Sequence, residues 1–166
     1  SDLNIKGDGS LTVISNFEDA IVSKDDLVIT SGNITVQSAD DGIRGNDTLT
    51  IKGGMLNIEA QKDGLRSNNV KTLGKGAINI EGGNITITAG DDGIQATSEF
   101  ITNGFSINIK GGTLKVSVAQ GDTDALDSNG DINISGGHIE LSGQSTVDYD
   151  GSATFTGGTL IINGTE

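Results

Sequence analysis

The sequence predicts an all-β chain wound as a parallel β-helix, and three observations carry that reading. One eight-residue frame recurs without gaps, as in Ile51-Lys52-Gly53-Gly54-Met55-Leu56-Asn57-Ile58 and Ile80-Glu81-Gly82-Gly83-Asn84-Ile85-Thr86-Ile87. Within each copy apolar and polar residues alternate with the period of a strand, and a Gly-Gly pair sits where the chain must turn. Composition agrees: 33% hydrophobic residues and 26 Gly suit a narrow core with many turns, while regular apolar alternation argues against disorder.

Taken in order, the frame begins with a longer copy at Ile5 to Val13 and continues at Ile29 to Val36, Ile51 to Ile58 and Ile80 to Ile87. It returns at Ile109 to Val116, Ile134 to Leu141 and Phe155 to Ile162. From Gly32 onward the second glycines are spaced 22, 29, 29, 25 and 21 residues apart. Each copy is two short strands around a Gly-Gly corner, and an Asp-Gly-Ile-like segment adds a third, which makes one rung of a solenoid. About six to seven rungs follow, in a single domain spanning residues 1–166. Neighbouring rungs stack ~4.8 Å apart, giving inward columns Leu27/Leu49/Ile78/Ile107/Ile132, Ile29/Ile51/Ile80/Ile109/Ile134, Ile34/Leu56/Ile85/Leu114/Ile139 and Ile21/Ile43/Leu65/Ile94/Leu126. The longer steps place insertions at Asn68 to Gly76 and Thr97 to Gly104, side by side along one edge, and a smaller one at Val118 to Asp122. Phe100, Ile101 and Phe105 are expected to close a satellite core there, or to line a functional edge.

Charge narrows the partners. A net charge of −13 argues against nucleic acid and against an anionic membrane surface. No apolar run approaches the ~20 residues a spanning helix needs, so no membrane insertion is expected. The opening residues carry no signal-peptide pattern and read as a mature or trimmed chain. Cys is absent, which removes disulfides and thiolate metal sites. The lone His138 has no second His or Cys to make a transition-metal site and reads as a surface residue.

The Asp-Gly-Ile segments carry the chemistry. Frame by frame, Asp19, Asp41, Asp63, Asp92, Asp124 and Asp148 fall at one position, read as outward-facing. Carboxylates ~5 Å apart repel by roughly 1 to 3 kcal/mol per pair, and cations relieve that. Oxygen-rich, sulfur-free surroundings point to Ca²⁺. The strongest expected site combines Asp92, Asp124, Asp127 and Asp148 with Asp122 nearby. A second uses Asp40, Asp41 and Asp63, and a third uses Asp63, Asp91 and Asp92. Three residues beyond the column stand Arg44, Arg66, Gln95 and Asp127. The two arginines either take carboxylates of a substrate through their guanidinium forks or neutralise Asp41 and Asp63. Tyr149, beside Asp148, is the aromatic residue expected to touch a sugar.

At these residues the chain resembles bacterial secreted carbohydrate-binding proteins of the cellulose- and acidic-sugar-binding type, within the pectate lyase-like superfamily. The resemblance covers nearly the whole chain. It is carried by the Ile-x-Ile-x-Gly-Gly-x-Ile frame, by Ala89-Gly90-Asp91-Asp92-Gly93-Ile94, and by Asp124-Ala125-Leu126-Asp127-Ser128-Asn129-Gly130-Asp131-Ile132 followed by Asp148-Tyr149-Asp150-Gly151. It implies a right-handed helix, Ca²⁺ on an acidic cluster, affinity for polygalacturonate-like polymers and for cellulose, and an extracellular or cell-surface location. The lyases it is similar to hold calcium on an Asp from one rung and an Asp-Asp-x-x-Asp set from the next. Here Asp92 and Thr123-Asp124-Ala125-Leu126-Asp127 match all but Thr123.

The function expected is a non-catalytic, calcium-binding, monomeric module for plant cell-wall polysaccharide, with no catalytic residue assigned. One alternative is a calcium-dependent pectate lyase, which needs a basic residue beside the metal. Lys62, Arg66, Lys71 and Lys75 are near enough in the expected fold, although none sits in a lyase motif. The other alternative is a structural or adhesive surface solenoid.

Overall fold

The computed structural model describes residues 1–69, 72–98 and 104–166, and among them every regular element is a strand. The strands form three parallel sheets of seven, seven and six members, stacked rung upon rung as a right-handed parallel β-helix. The first sheet runs from Leu3–Ile5 through Thr48–Ile51 and Ala77–Ile80 to Ala153–Phe155. The second, across the Gly-Gly corner, includes Met55–Ala60, Asn84–Ala89 and Thr113–Val118. The third holds the Asp-Gly-Ile segments: Ile21–Ser23, Ile43–Gly45, Leu65–Ser67, Ile94–Ala96, Asp124–Ser128 and Ser145–Tyr149.

Register follows the aliphatic columns. Leu49, Ile78, Ile107 and Ile132 pair in turn, as do Leu56, Ile85, Leu114 and Ile139, and Leu65, Ile94 and Leu126. A further column, Val36/Ile58/Ile87/Val116/Leu141, completes the second sheet's inner face, and all of these are buried. Slipping one residue would turn an entire column to solvent, so apolar burial alone pins the register.

The corners show why glycine recurs. The second glycine of each pair has positive φ (Gly54 +99°, Gly83 +100°, Gly112 +86°), where a β-carbon is strained. Successive corners are stitched together, Asn84 N–H donating to Gly54 O at 2.8 Å and Thr113 N–H to Gly83 O at 2.8 Å. At the entry to the third sheet the constraint is space. A β-carbon on Gly93 would stand 2.6 Å from Ala125 O, and one on Gly42 would stand 2.6 Å from Gly64 O.

The insertions run alongside one another where they are described. Gly76 N–H donates to Asp47 O at 2.6 Å, and a β-carbon on Gly104 would come within 2.7 Å of Gly74 Cα. Phe105 belongs to the main core, 3% exposed, which corrects its reading as part of a satellite core. Phe100 and Ile101 lie outside the described residues, as does Lys71.

Two placements differ from the sequence frame. The Asp column does not face outward: Asp41, Asp63 and Asp92 are 4%, 2% and 7% exposed, tucked under the turn into the third sheet. Asp148 does not belong to that column. It pairs with Asp127, and Ser145 takes the place beside Asp124. The frame aligned Asp148 by its Asp neighbours, whereas the backbone register follows Leu126 over Val147.

Candidate functional site

The buried aspartates form a hydrogen-bonded ladder. Asp41 N–H donates to Asp19 Oδ1 (3.1 Å), Asp63 N–H to Asp41 Oδ1 (3.3 Å), Asp92 N–H to Asp63 Oδ1 (3.1 Å) and Asp124 N–H to Asp92 Oδ1 (2.7 Å). The Ser145 hydroxyl ends the series on Asp124 Oδ1. A two-carbon acid is short enough to reach the next rung's amide from the turn, so one oxygen of Asp19, Asp41, Asp63 and Asp92 satisfies the N–H of the rung above.

The second oxygen of each Asp distinguishes the lower rungs from the upper ones. Asp19 Oδ2 accepts from Arg44 Nε at 2.7 Å, and Arg66 Nη1 lies 3.2 Å from Asp41 Oδ2 and 3.1 Å from Asp63 Oδ2. Arg66 therefore bridges two rungs, and Arg44 pairs one rung below its own. One rung above Arg66, in register, stands Gln95, then Asp127, then Asp148. Asp92 Oδ2 accepts from the neutral Gln95 Nε2 at 2.6 Å, and the Asp127 carboxyl lies within hydrogen-bond reach of Asp92. The guanidinium column thus becomes neutral and then acidic as the helix is climbed.

Burial is the largest influence on these carboxyls, on the lower rungs as on the upper ones. Burial, then the repulsion of Asp92, Asp124 and Asp148, pushes the Asp127 carboxyl up to about 7. Burial also raises Asp92 despite the Asp124 amide and Gln95 amide that donate to it. Asp63 is likewise pushed up to about 7, by burial and by Asp41, with Arg66 opposing. Burial raises Asp41 too. For Arg66 burial pulls downward, and Asp41 and Asp63 more than offset it.

Among the described residues, two sets of three carboxylates bring ligand oxygens within 4.8 Å of one another and could hold a metal ion: Asp19, Asp40 and Asp41, and Asp63, Asp91 and Asp92. The second is one of the sequence-derived sets. The first exchanges Asp63 for Asp19, a residue visible in the repeat frame but not assigned to a site. Asp92, Asp124 and Asp127 share one region of the third sheet without converging that closely. Asp148 continues the column beyond Asp127, and Asp122 is exposed in the preceding turn. Thr123, where the lyase pattern has Asp, is buried with its hydroxyl donating to Ala119 O at 2.7 Å.

Other assigned residues fall as follows. Tyr149 is 45% exposed and pairs with Ser128, a buried inward position, on the outermost strand of the third sheet. Arg44 and Arg66 are engaged in the ion pairs above. Lys75 Nζ faces Asp26 Oδ1 at 3.6 Å on the first sheet, away from the acidic ladder, and Lys62 is exposed. His138 is exposed and shares a 3.1 Å hydrogen bond with Glu140.

A family model described as "Carbohydrate-binding domain-containing protein" matches residues 1–166. The chain belongs to this family of carbohydrate-binding domain-containing proteins. A relative of the same description from Acetivibrio thermocellus is 54% identical over 37 residues, 22% of this chain and 13% of that protein. Among solved structures, the polysaccharide lyase-like protein from C. thermocellum, determined as a gadolinium derivative, matches with a TM-score of 0.64 and 33% identity. That match covers 96% of this chain and 49% of the other, so the chain spans about half of this relative's length and a small part of the first. The carbohydrate-binding family and the lyase-like β-helix agree with the resemblance carried by the repeat frame.

Proposed function

We propose that this chain is a non-catalytic, calcium-binding module that holds acidic plant cell-wall polysaccharides of the polygalacturonate type outside the bacterial cell or at its surface. One observation carries the reading: the guanidinium groups that neutralise the lower ladder give way to Gln95, Asp127 and Asp148 above it. Four carboxylates, Asp92, Asp124, Asp127 and Asp148, then stand together without the Arg44 and Arg66 counter-charges of the rungs below. A pair of like charges ~5 Å apart costs ~3 kcal/mol at an effective dielectric of ~20. A divalent cation on the remaining oxygens removes that cost. The donors fit a hard ion: all are carboxylate, carbonyl or amide oxygen, with no sulfur and no imidazole nearby.

Asp63, Asp91 and Asp92 would hold one ion, and Asp92, Asp124 and Asp127, with Asp148 and Asp122 at the margin, a second. Asp40 and Asp41, joined by Asp19, form a weaker candidate because Arg44 and Arg66 occupy oxygens of both Asp19 and Asp41, whereas in the Asp63, Asp91 and Asp92 set Arg66 reaches Asp63 alone. Calcium would supply charge neutralisation and open coordination positions for uronate oxygens. Arg66 is proposed to meet the polymer beside the Asp63 set, with Arg44 on the rungs below and Tyr149 on the outermost strand above.

Affinity electrophoresis in gels containing polygalacturonate, with Ca²⁺ or with EGTA, tests this. Calcium-dependent retardation is the expected result, and equal mobility in both gels overturns it. Cellulose pull-down in parallel decides the neutral polymer. Absorbance from unsaturated uronate that grows with time and stops on chelation would replace the binding module with a lyase.

A further inference from the structure

A concave site lies on the lower rungs, on the side of the third sheet that turns toward the first. It encloses about 520 Å³, within the usual ~300–1,000 Å³ of ligand pockets. The floor is Val22, 39% exposed, beside the stem of Arg44. One wall is the stacked pair of turns carrying Lys24 and Asp25 below and Asn46 and Asp47 above, joined by Asp47 N–H donating to Asp25 O at 3.1 Å. On the opposite side stand Asn69 and Thr72, the Asn69 side chain, 2% exposed, accepting from Thr72 N–H at 3.1 Å.

The lining chemistry is specific. Arg44 is held by Asp19 and by Asn46 Oδ1 (3.3 Å), so it shapes the wall and is not a spare cation. Lys24 and Asp47 line the cavity with no side-chain partner among the described residues. Lys24 and Arg44 face the carboxylates Asp25 and Asp47 there, and Asp25 is already paired with the ammonium of Ser1, which also lines the cavity, in a chain that carries −13 overall. The net charge of the chain repels a polyanion, and Lys24, which has no side-chain partner among the described residues, offsets that repulsion locally.

We propose that this cavity is a subsite for one uronate residue of a bound acidic polysaccharide. Its carboxylate meets the Lys24 ammonium, its hydroxyls donate to the Asp47 carboxylate and pair with the Asn46 amide, and its apolar ring face rests on Val22. This rests on the acidic-polysaccharide reading above and adds a location for it, several rungs from the Asp92–Asp127 set.

The test is titration calorimetry on the whole chain with Ca²⁺, using trigalacturonate and, as the neutral probe, galactotriose. Lys24→Glu should weaken trigalacturonate about tenfold or more, ~1.4 kcal/mol, with calcium binding unchanged. Lys110→Glu, an equal charge change at an exposed corner elsewhere, should weaken it far less. Asp47→Asn should also weaken it, and trigalacturonate should shift the Val22 methyl signals in a ¹H–¹³C spectrum. Equal losses in Lys24→Glu and Lys110→Glu, with unmoved Val22 methyls, overturn the subsite while leaving acidic-sugar binding intact. Binding of galactotriose as tight as trigalacturonate overturns the uronate class. A wild-type chain that binds neither probe refutes the functional reading, and the subsite with it.

Discussion

Replacing Asp127 by Asn removes one charge from the upper ladder at nearly constant shape. In the metal-free protein the Asp127 carboxyl titrates near 7 against an ordinary 3.8, a gap of a little over three pH units. Each unit is ~1.4 kcal/mol, so the ionised side chain costs the folded state up to ~4 kcal/mol at pH 8. The sign follows from the raised value. The folded state holds its proton more tightly than the unfolded state, so stability is full below pH ~3.8 and is lost as pH rises through about 7. Asp92, Asp124 and Asp148 are the groups whose repulsion adds to burial there. Urea denaturation in EDTA at pH 4, 6 and 8 measures this. Asp127→Asn should be more stable than wild type at pH 8 by roughly 2–4 kcal/mol, because solvent at a half-buried group screens part of the effect. The two should converge at pH 4. With Ca²⁺ the order should reverse, because the variant loses a ligand. A variant equal to or weaker than wild type in EDTA at pH 8 would refute the electrostatic argument.

Other perturbations probe other parts of the same account. Arg66→Gln leaves Asp41 and Asp63 without their shared cation and should cost ~3 kcal/mol at pH 7. Both aspartates have raised values, so the loss should shrink toward pH 4, read by the same urea titration. Gly93→Ala forces a β-carbon to 2.6 Å from Ala125 O and should destabilise by ~1–3 kcal/mol, seen as a lower denaturation midpoint with unchanged m-value. On the first sheet, Asn108 links Asn79 Oδ1 and Asn133 Nδ2, each at 3.0 Å. Asn108→Ala breaks both links at half-buried positions and should cost ~1 kcal/mol in the same assay.

Much of the fold is legible in the residues because a solenoid repeats one local decision. Leu49, Ile78 and Ile107 could be stacked by counting from each Gly-Gly corner, since side-chain alternation and a short corner leave one register that buries them. The same counting failed at Asp148. There the spacing of acidic residues was followed, while the backbone obeyed Leu126 over Val147. Side-chain direction at the Asp column was also beyond a strand-period argument. Asp41, Asp63 and Asp92 precede the strand in a turn, where an unpaired amide of the next rung draws the carboxylate inward. The arginines three residues on were visible in sequence, but their pairing across rungs, Arg44 with Asp19 and Arg66 with both Asp41 and Asp63, depends on side-chain reach in three dimensions. The cavity at Lys24 and Asp47 joins two turns and an insertion from different rungs, and no local pattern announces it.

Thermal unfolding of the intact chain with Ca²⁺ and with EGTA, paired with elemental analysis, tests the central claim most directly. A calcium concentration a hundredfold above Kd stabilises by ~2.7 kcal/mol. For a domain of this size that is a rise in Tm of roughly 5–10 °C, with at least one calcium per chain. An unchanged Tm and no bound calcium would contradict the account.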